Sequence, residues 1–352
     1  MAITPLFMSG AELARGIHST EFDNPYTDQL QITATPHTGS YSFDISLTDH
    51  RGEKTVTATR QFRAGLWLYT SVGLPAVEST LLEWQTAAGA AHIGWLGVDD
   101  TATNKLAAYV GTHAAAVAEI SAATFAHSQW YNVCIDVKVD AANGWIYVWQ
   151  DGVNVISFDG NTGNADVARI VLGYCGAGGV VWNQGFVDDF YLDDTTGEAA
   201  PVIPPDRRIY TLYPDGAGTY AEGLAKGGGA SSSTNVDDGA ASDTDTTYNY
   251  VDALNERETY ALTTFALPAA GTIYAVQAKV HALKTDAGVD TEIAVMTRGG
   301  AVAADNEDAS QNLAGDWLLY SGDIELLDPA GAAWAIAQID SLEAGFRGKG
   351  TF

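Results

Sequence analysis

Between residues 130 and 158 the side chains alternate with a period of two. Tyr131, Val133, Ile135, Val137 and Val139 fall on one side of an extended chain, and Asn132, Cys134, Asp136 and Lys138 fall on the other. A helix would scatter these residues around its circumference, so the segment reads as a strand with one buried face. Ala141-Ala142-Asn143-Gly144 and Asp151-Gly152 interrupt the pattern with residues that accept the positive φ of tight hairpin turns, which makes three strands in succession.

The same reading extends over residues 21–195, where short runs rich in β-branched and aromatic residues alternate with Gly, Asn and Asp turns. Strands are expected at 41–47, 55–69, 80–85, 92–98, 105–110, 130–158 (as the two hairpins above), 168–174 and 185–192. Composition agrees: 46% hydrophobic but only 17% charged residues, with 37 Gly, suits strands and turns better than amphipathic helices. The length of 352 residues allows two domains. Pro201, Pro204 and Pro205 place a linker at 196–208, since proline cannot donate to a β-ladder. The fold class expected is all-β, with two jelly-roll-like β-sandwich domains at 21–195 and 209–352. Strands of the second are expected at 248–251, 259–265, 272–283, 291–297 and 317–326, with a short helix or turn within 334–345. Residues 216–247, rich in Gly, Ser and Asp, read as a flexible loop. Residues 1–20 read as a docking arm whose Ile3, Leu6, Phe7 and Met8 are too few to form a core and offer assembly contacts.

Charge excludes some partners. There are 44 acids against 17 Lys and Arg, a net charge of -27. The excess is shared by both halves, because residues 1–195 hold 21 of the acids and 8 of the bases. Neither half can neutralise phosphates, so no nucleic acid is expected as a partner, and no apolar run is long enough for membrane insertion. The first residues lack the basic and apolar regions of a secretory signal, so synthesis in the host cytoplasm is expected. Cys134 and Cys175 read as buried thiols.

The chain has no GxSxG, HExxH or Walker A sequence, and its seven His are scattered singly, so a metal trio could arise only by tertiary coincidence. The Gly-rich stretch around Gly227 lacks the strand-loop-helix setting of a phosphate cradle. Trp84, Trp95 and Trp182 lie near expected loops or strand ends and are the candidate platforms for a sugar ring.

Trp130, the hairpin strand 145–149, Asp151-Gly152, Leu172-Gly173 and Val187-Asp188-Asp189-Phe190 follow an order and spacing that resemble the laminin-G-type branch of the concanavalin A-like jelly roll. That resemblance covers about half the chain. It implies lectin-like, structural or glucanase relatives. The glucanases carry ExDxxE on a concave-face strand, and the only partial match here is Glu21-x-Asp23, with Tyr26 in place of the third acid. The resemblance also implies a structural calcium ion held by Asp23 with Asp188 or Asp189. A second calcium candidate is the loop Asp159-x-Asn161-x-Gly163-x-x-Asp166.

Near the other end stand Glu325-Leu326-Leu327-Asp328-Pro329-Ala330-Gly331, Trp334, and Asp340-Ser341-Leu342-Glu343-Ala344-Gly345-Phe346. This succession resembles the closing sandwich of phage structural proteins. Asp245 to Val251 followed by Tyr260 to Pro268, and the opening Leu6-Phe7-Met8-Ser9-Gly10, are similar to those proteins too. The resemblance implies a virion component, whether capsid decoration, head fibre or tail part, whose partners are other virion proteins, further copies of itself and a host-surface glycan. The expectation is therefore a non-enzymatic virion structural protein. A carbohydrate-binding module is the alternative, and a glycan-degrading enzyme is the third reading.

Overall fold

The alternation seen in the sequence becomes two sheet faces in the computed structural model, which describes residues 4–11, 22, 31–33, 36–38, 42–46, 51–71, 79–87, 91–98, 104–113, 117–173, 185–204, 206–222, 224–226, 233–236, 247–264, 271–285, 291–299 and 304–350. The protein is nearly all β, built of antiparallel sheets in β-sandwich domains. The chain divides into two compact units, Met1–Ile17 with Glu21–Tyr210, and His18–Thr20 with Thr211–Phe352.

The first unit contains β1 (Thr4–Ser9), β2 (Gln31–Thr33), β3 (Ser42–Asp44), β4 (Arg51–Thr59), β5 (Gln61–Thr70), β6 (Ser79–Gln85), β7 (His92–Val98), β8 (Leu106–Val110), β9 (Val117–Ile120), β10 (Trp130–Lys138), β11 (Gly144–Gln150), β12 (Val153–Gly160), β13 (Val167–Gly173) and β14 (Gly185–Asp194). One sheet has the order β12-β11-β10-β5-β14-β3-β2, with β1 added along β14. The other has the order β4-β13-β6-β7-β8-β9. Leu66, Leu68, Val133, Ile135, Val137, Ile146 and Val148 of the first sheet share one core with Leu82, Trp84, Leu96, Ala108, Ile170 and Leu172 of the second. Each such side chain, fully buried, contributes about 1.5–3 kcal/mol, so this two-sheet core is the main source of the unit's stability. At the turn from β11 to β12, Asp151 and Gly152 have φ of 49° and 79°, the geometry that the Asp-Gly pair supplies.

Four expectations are corrected in or beside this unit. Residues 55–69 are not one strand: the chain leaves the six-stranded sheet after Thr59 and enters the eight-stranded sheet at Gln61, turning at Arg60. Residues 4–9 are not a free arm, because β1 pairs with β14 from Thr4↔Asp194 to Ser9↔Phe190. Phe7 is buried in the core, edge-on to Phe22 and against Phe190, and Leu6 packs on the same core. Met8 is half-buried in the paired strand, so Leu6, Phe7 and Met8 are taken up by the chain's own sandwich; Ile3 lies outside the described residues. The proline segment is held to the first unit rather than crossing freely. Glu198 pairs with Arg63 at 2.5 Å, Arg207 with Asp193 at 2.8 Å, and the Ile209 N–H donates to Asp189 at 2.7 Å.

The second unit contains β15 (Pro214–Ala221), β16 (Leu224–Lys226), β17 (Tyr248–Tyr250), β18 (Arg257–Leu262), β19 (Lys279–Ala282), β20 (Thr291–Gly299), β21 (Ala304–Glu307), β22 (Gln311–Asn312), β23 (Leu318–Ser321), α1 (Ile336–Ile339) and β24 (Glu343–Gly350). Its main sheet runs β15-β18-β24-β20-β21 with β22 on β20, and β16-β17 and β19-β23 form two-stranded sheets. Ile293, Val295 and Phe346 of the main sheet pack with Ala278, Val280, Leu318 and Tyr320 of the β19-β23 layer. The fourth correction belongs here: part of the loop expected at 216–247 is strand, in β15 and β16, and the rest lies largely outside the described residues.

Candidate functional site

A bulge interrupts the pairing of β14 with β5 between Asp188 and Tyr191, and Asp189 takes the left-handed φ of 51°. Two consecutive acids are thereby buried together, each with no solvent exposure. Asp188 accepts the backbone N–H groups of His37 (2.9 Å), Thr38 (3.1 Å) and Asp189 (2.8 Å). Asp189 accepts Thr38 Oγ1 at 2.9 Å and the Ile209 N–H at 2.7 Å, and its other oxygen lies 3.0 Å from His37 Nδ1. All four carboxylate oxygens are thus engaged by protein groups, five of the six of them donors whatever the His37 tautomer. That donor-lined setting does not fit calcium, which needs free oxygens converging on one point. Asp188 and Asp189 instead fasten residues 37–38 and 209 to the sheet; Asp23 lies outside the described residues. In the loop 159–166, Asp166 pairs with Arg60 at 2.6 Å and Asp159 accepts the Tyr147 hydroxyl at 2.8 Å.

Burial, and next the Asp189 charge beside it, push the Asp188 carboxyl up to about 8. A carboxyl raised in the folded state binds its proton more tightly there than in the unfolded chain, where it titrates near 4. Stability from this group is therefore full below about pH 4 and is lost as pH rises to about 8. Thermal unfolding followed from pH 4.5 to 8.5 is expected to show this loss in the wild type, and Asp188→Asn should flatten the slope. An unchanged slope would remove Asp188 as its source.

Two of the three tryptophans expected to meet a sugar are internal. Trp84 is buried with its edge to Phe62 in the main core. Trp95, also buried, stacks on Tyr109 with ring centroids 3.6 Å apart and planes 5° from parallel. Neither can serve as an exposed platform. Trp182 lies outside the described residues.

A different aromatic face is built where β10, β5 and β14 lie side by side. Leu66 and Leu68 of β5 point into the core, so Trp67 and Tyr69 point away from it. Register sets Trp130 and Phe186 opposite Tyr69 on either side, and Asn132 opposite Trp67. Tyr69 lies 5.4 Å from Trp130 and 5.9 Å from Phe186 between ring centroids, while His37 stacks on Trp67 at 3.7 Å. All five rings are half-buried, so each keeps some surface open to solvent. Beside them, Trp67 Nε1 and Asn132 Nδ2 are buried N–H groups with no hydrogen-bond partner among the described residues. Trp67 is covered by the His37 stack and by the Arg208 guanidinium 5.7 Å from its centroid, so the open ring surface is that of Tyr69, Trp130 and Phe186, an apolar lining of the kind that holds the apolar face of a small ligand.

The outer face of the six-stranded sheet gathers a second cluster. Glu83 on β6 is buried; one of its oxygens faces His92 Nδ1 on β7, and the other lies 3.4 Å from His113 Nε2, three residues after β8. Burial works against ionisation of Glu83, but His113, His92 and Gln85 outweigh it and hold the carboxyl below its ordinary range. His92 and His113 belong to the histidines that the sequence shows as scattered, and antiparallel pairing of successive strands brings them together. Cys134 is a buried free thiol, its pKa pushed up to about 12 by burial, and offers no nucleophile.

No family model matches the chain, and no curated protein matches it. Among solved structures it is similar to domain 4 of AbnA, a GH43 extracellular arabinanase from Geobacillus stearothermophilus in complex with arabinotriose, with TM-score 0.38 and 12% identity over 55% of this chain and 94% of that one. It is similar also to the Trypanosoma rangeli sialidase in complex with the inhibitor DANA, with TM-score 0.34 and 14% identity over 44% of this chain and 26% of that one. The chain spans about a quarter of the length of the T. rangeli sialidases it matches. At these TM-scores the likenesses assign neither activity nor substrate. They do correct one expectation: the neighbours are sialidases and part of an arabinanase, carbohydrate-active proteins, and the non-enzymatic reading is given up.

Proposed function

We propose that this chain is a carbohydrate-binding β-sandwich protein of a phage virion, and that the face made by Trp67, Tyr69, Trp130 and Phe186 is its glycan platform. The observation that carries the reading is that face: four half-buried rings in register on three adjacent strands. A pyranose presents axial C–H groups on one side and hydroxyls at its rim. The rings suit the first.

Trp130→Ala and Tyr69→Ala remove ring surface from the half-buried face without opening the main core. On a broad glycan array the wild-type chain is expected to retain a defined set of oligosaccharides, and each substitution to weaken retention by about tenfold or more, the equivalent of 1.4 kcal/mol. Binding by both variants at wild-type strength would place the platform elsewhere. The virion setting rests on the resemblance of residues 325–346 to phage structural proteins. Mass spectrometry of purified particles tests it, because the protein should be present in stoichiometric copies.

A further inference from the structure

The geometry points to a transition-metal site of the zinc class at Glu83, His92 and His113, on the outer face of the six-stranded sheet and independent of the glycan platform. Among the described residues, these three form a group whose ligand atoms, one from each side chain, all lie within 4.8 Å of one another. Two imidazole nitrogens and one carboxylate oxygen make a borderline donor set. It suits Zn²⁺ or Co²⁺, whereas Ca²⁺ takes six or more oxygens.

The fold prepares the donors in three ways. Glu83 sits in the middle of β6, so its backbone is fixed by pairing to Trp95 on β7, and Trp95 is paired in turn to Tyr109 on β8. The Trp95–Tyr109 stack forms an apolar support beneath the cluster, with the His113 ring 5.0 Å from Trp95 and 5.1 Å from His92. Thr80 Oγ1 lies 3.4 Å from His113 Nδ1, leaving Nε2 directed at Glu83, the arrangement by which an outer contact sets the orientation of a metal-binding histidine.

Access is from the histidine side. The His92 and His113 side chains are 36% and 20% exposed while Glu83 is fully covered, so an ion entering from solvent meets the imidazoles first and the carboxylate beyond them. Three protein ligands leave a coordination position for water, as in open zinc sites. Among the described residues, two buried polar atoms of the same sheet face, Trp95 Nε1 and Gln85 Oε1, have no hydrogen-bond partner. Without an ion, the histidines and Glu83 pair with one another. With one, the same atoms would clip β6, β7 and the end of β8 together.

Titration of the full metal-stripped chain with Zn²⁺ and Co²⁺, followed by calorimetry and by the melting temperature, tests the site. One ion per chain is expected, with a raised melting temperature, because an ion that binds only the folded state stabilises it by mass action. Ca²⁺ should have no such effect. His92→Ala and His113→Ala, checked for folding by near-ultraviolet circular dichroism, should each weaken binding by at least the roughly 100-fold that loss of an outer contact alone can cost. Absence of saturable binding in the wild type overturns the site whatever the variants do. Folded variants that bind as the wild type does overturn it equally.

Discussion

Asp136→Ala is expected to destabilise the first unit by about 3–5 kcal/mol, the cost of breaking a buried ion pair by removing one of its members. Asp136 has no solvent exposure and lies on the outer face of β10, where Arg63 of β5, itself 1% exposed, reaches it at 2.8 Å. Its other oxygen accepts the indole N–H of Trp145 at 2.7 Å. The alanine variant would leave Trp145 Nε1 and Arg63 Nε without their acceptor, while Arg63 Nη2 keeps Glu198. Chemical denaturation of wild type and variant measures the loss. A change below about 1 kcal/mol would mean that the pair is no stronger than an exposed surface pair. Glu198→Ala should cost less, because its side chain is 20% exposed and water can replace it.

Trp84→Ala should cost a similar amount, about 3–5 kcal/mol, through the cavity left by a large aromatic ring. The ring fills the space between the sheets against Phe62, and its strand neighbours Leu82 and Ile170 belong to the same core. The result separates packing from recognition: stability should fall steeply, while the variant that remains folded should bind any glycan as the wild type does. A variant of unchanged stability that had lost glycan binding would restore Trp84 as a platform and contradict the buried position.

The strands of the first unit are legible because one face carries the pattern. In β10, Tyr131 to Val137 alternate with polar neighbours, and membership of the core follows that alternation, although the other face, expected to be open, is buried as well. In β5 it fails as a guide to function: Leu66, Trp67, Leu68 and Tyr69 are all apolar, so period two cannot tell which pair turns outward. The partners that complete the aromatic face, Trp130 and Phe186, come from strands more than fifty residues away and become neighbours only through register. The break at Arg60 carries no Gly or Pro and so leaves no mark. β24, Glu-Ala-Gly-Phe-Arg-Gly-Lys-Gly, lies between β18 and β20, where the sequence shows no alternation of apolar and polar residues. There Gly345 is required by proximity, since a Cβ would collide with the Glu258 carbonyl of β18. The Glu83, His92 and His113 cluster was hidden for the same reason as the aromatic face: spacings of 9 and 21 residues form no motif, and only the pairing of three antiparallel strands brings the side chains together. The mid-strand acid Glu83, flanked by Leu82 and Trp84, was the one signal available, because a charge in an otherwise apolar strand needs a partner.

The glycan platform is tested most directly by where a sugar binds. A crystal structure of the chain with the oligosaccharide best retained on the array should show a sugar ring stacked on Trp130 or Tyr69. A sugar bound on the six-stranded sheet or on the second unit, with the Trp67, Tyr69, Trp130 and Phe186 face bare, would contradict it.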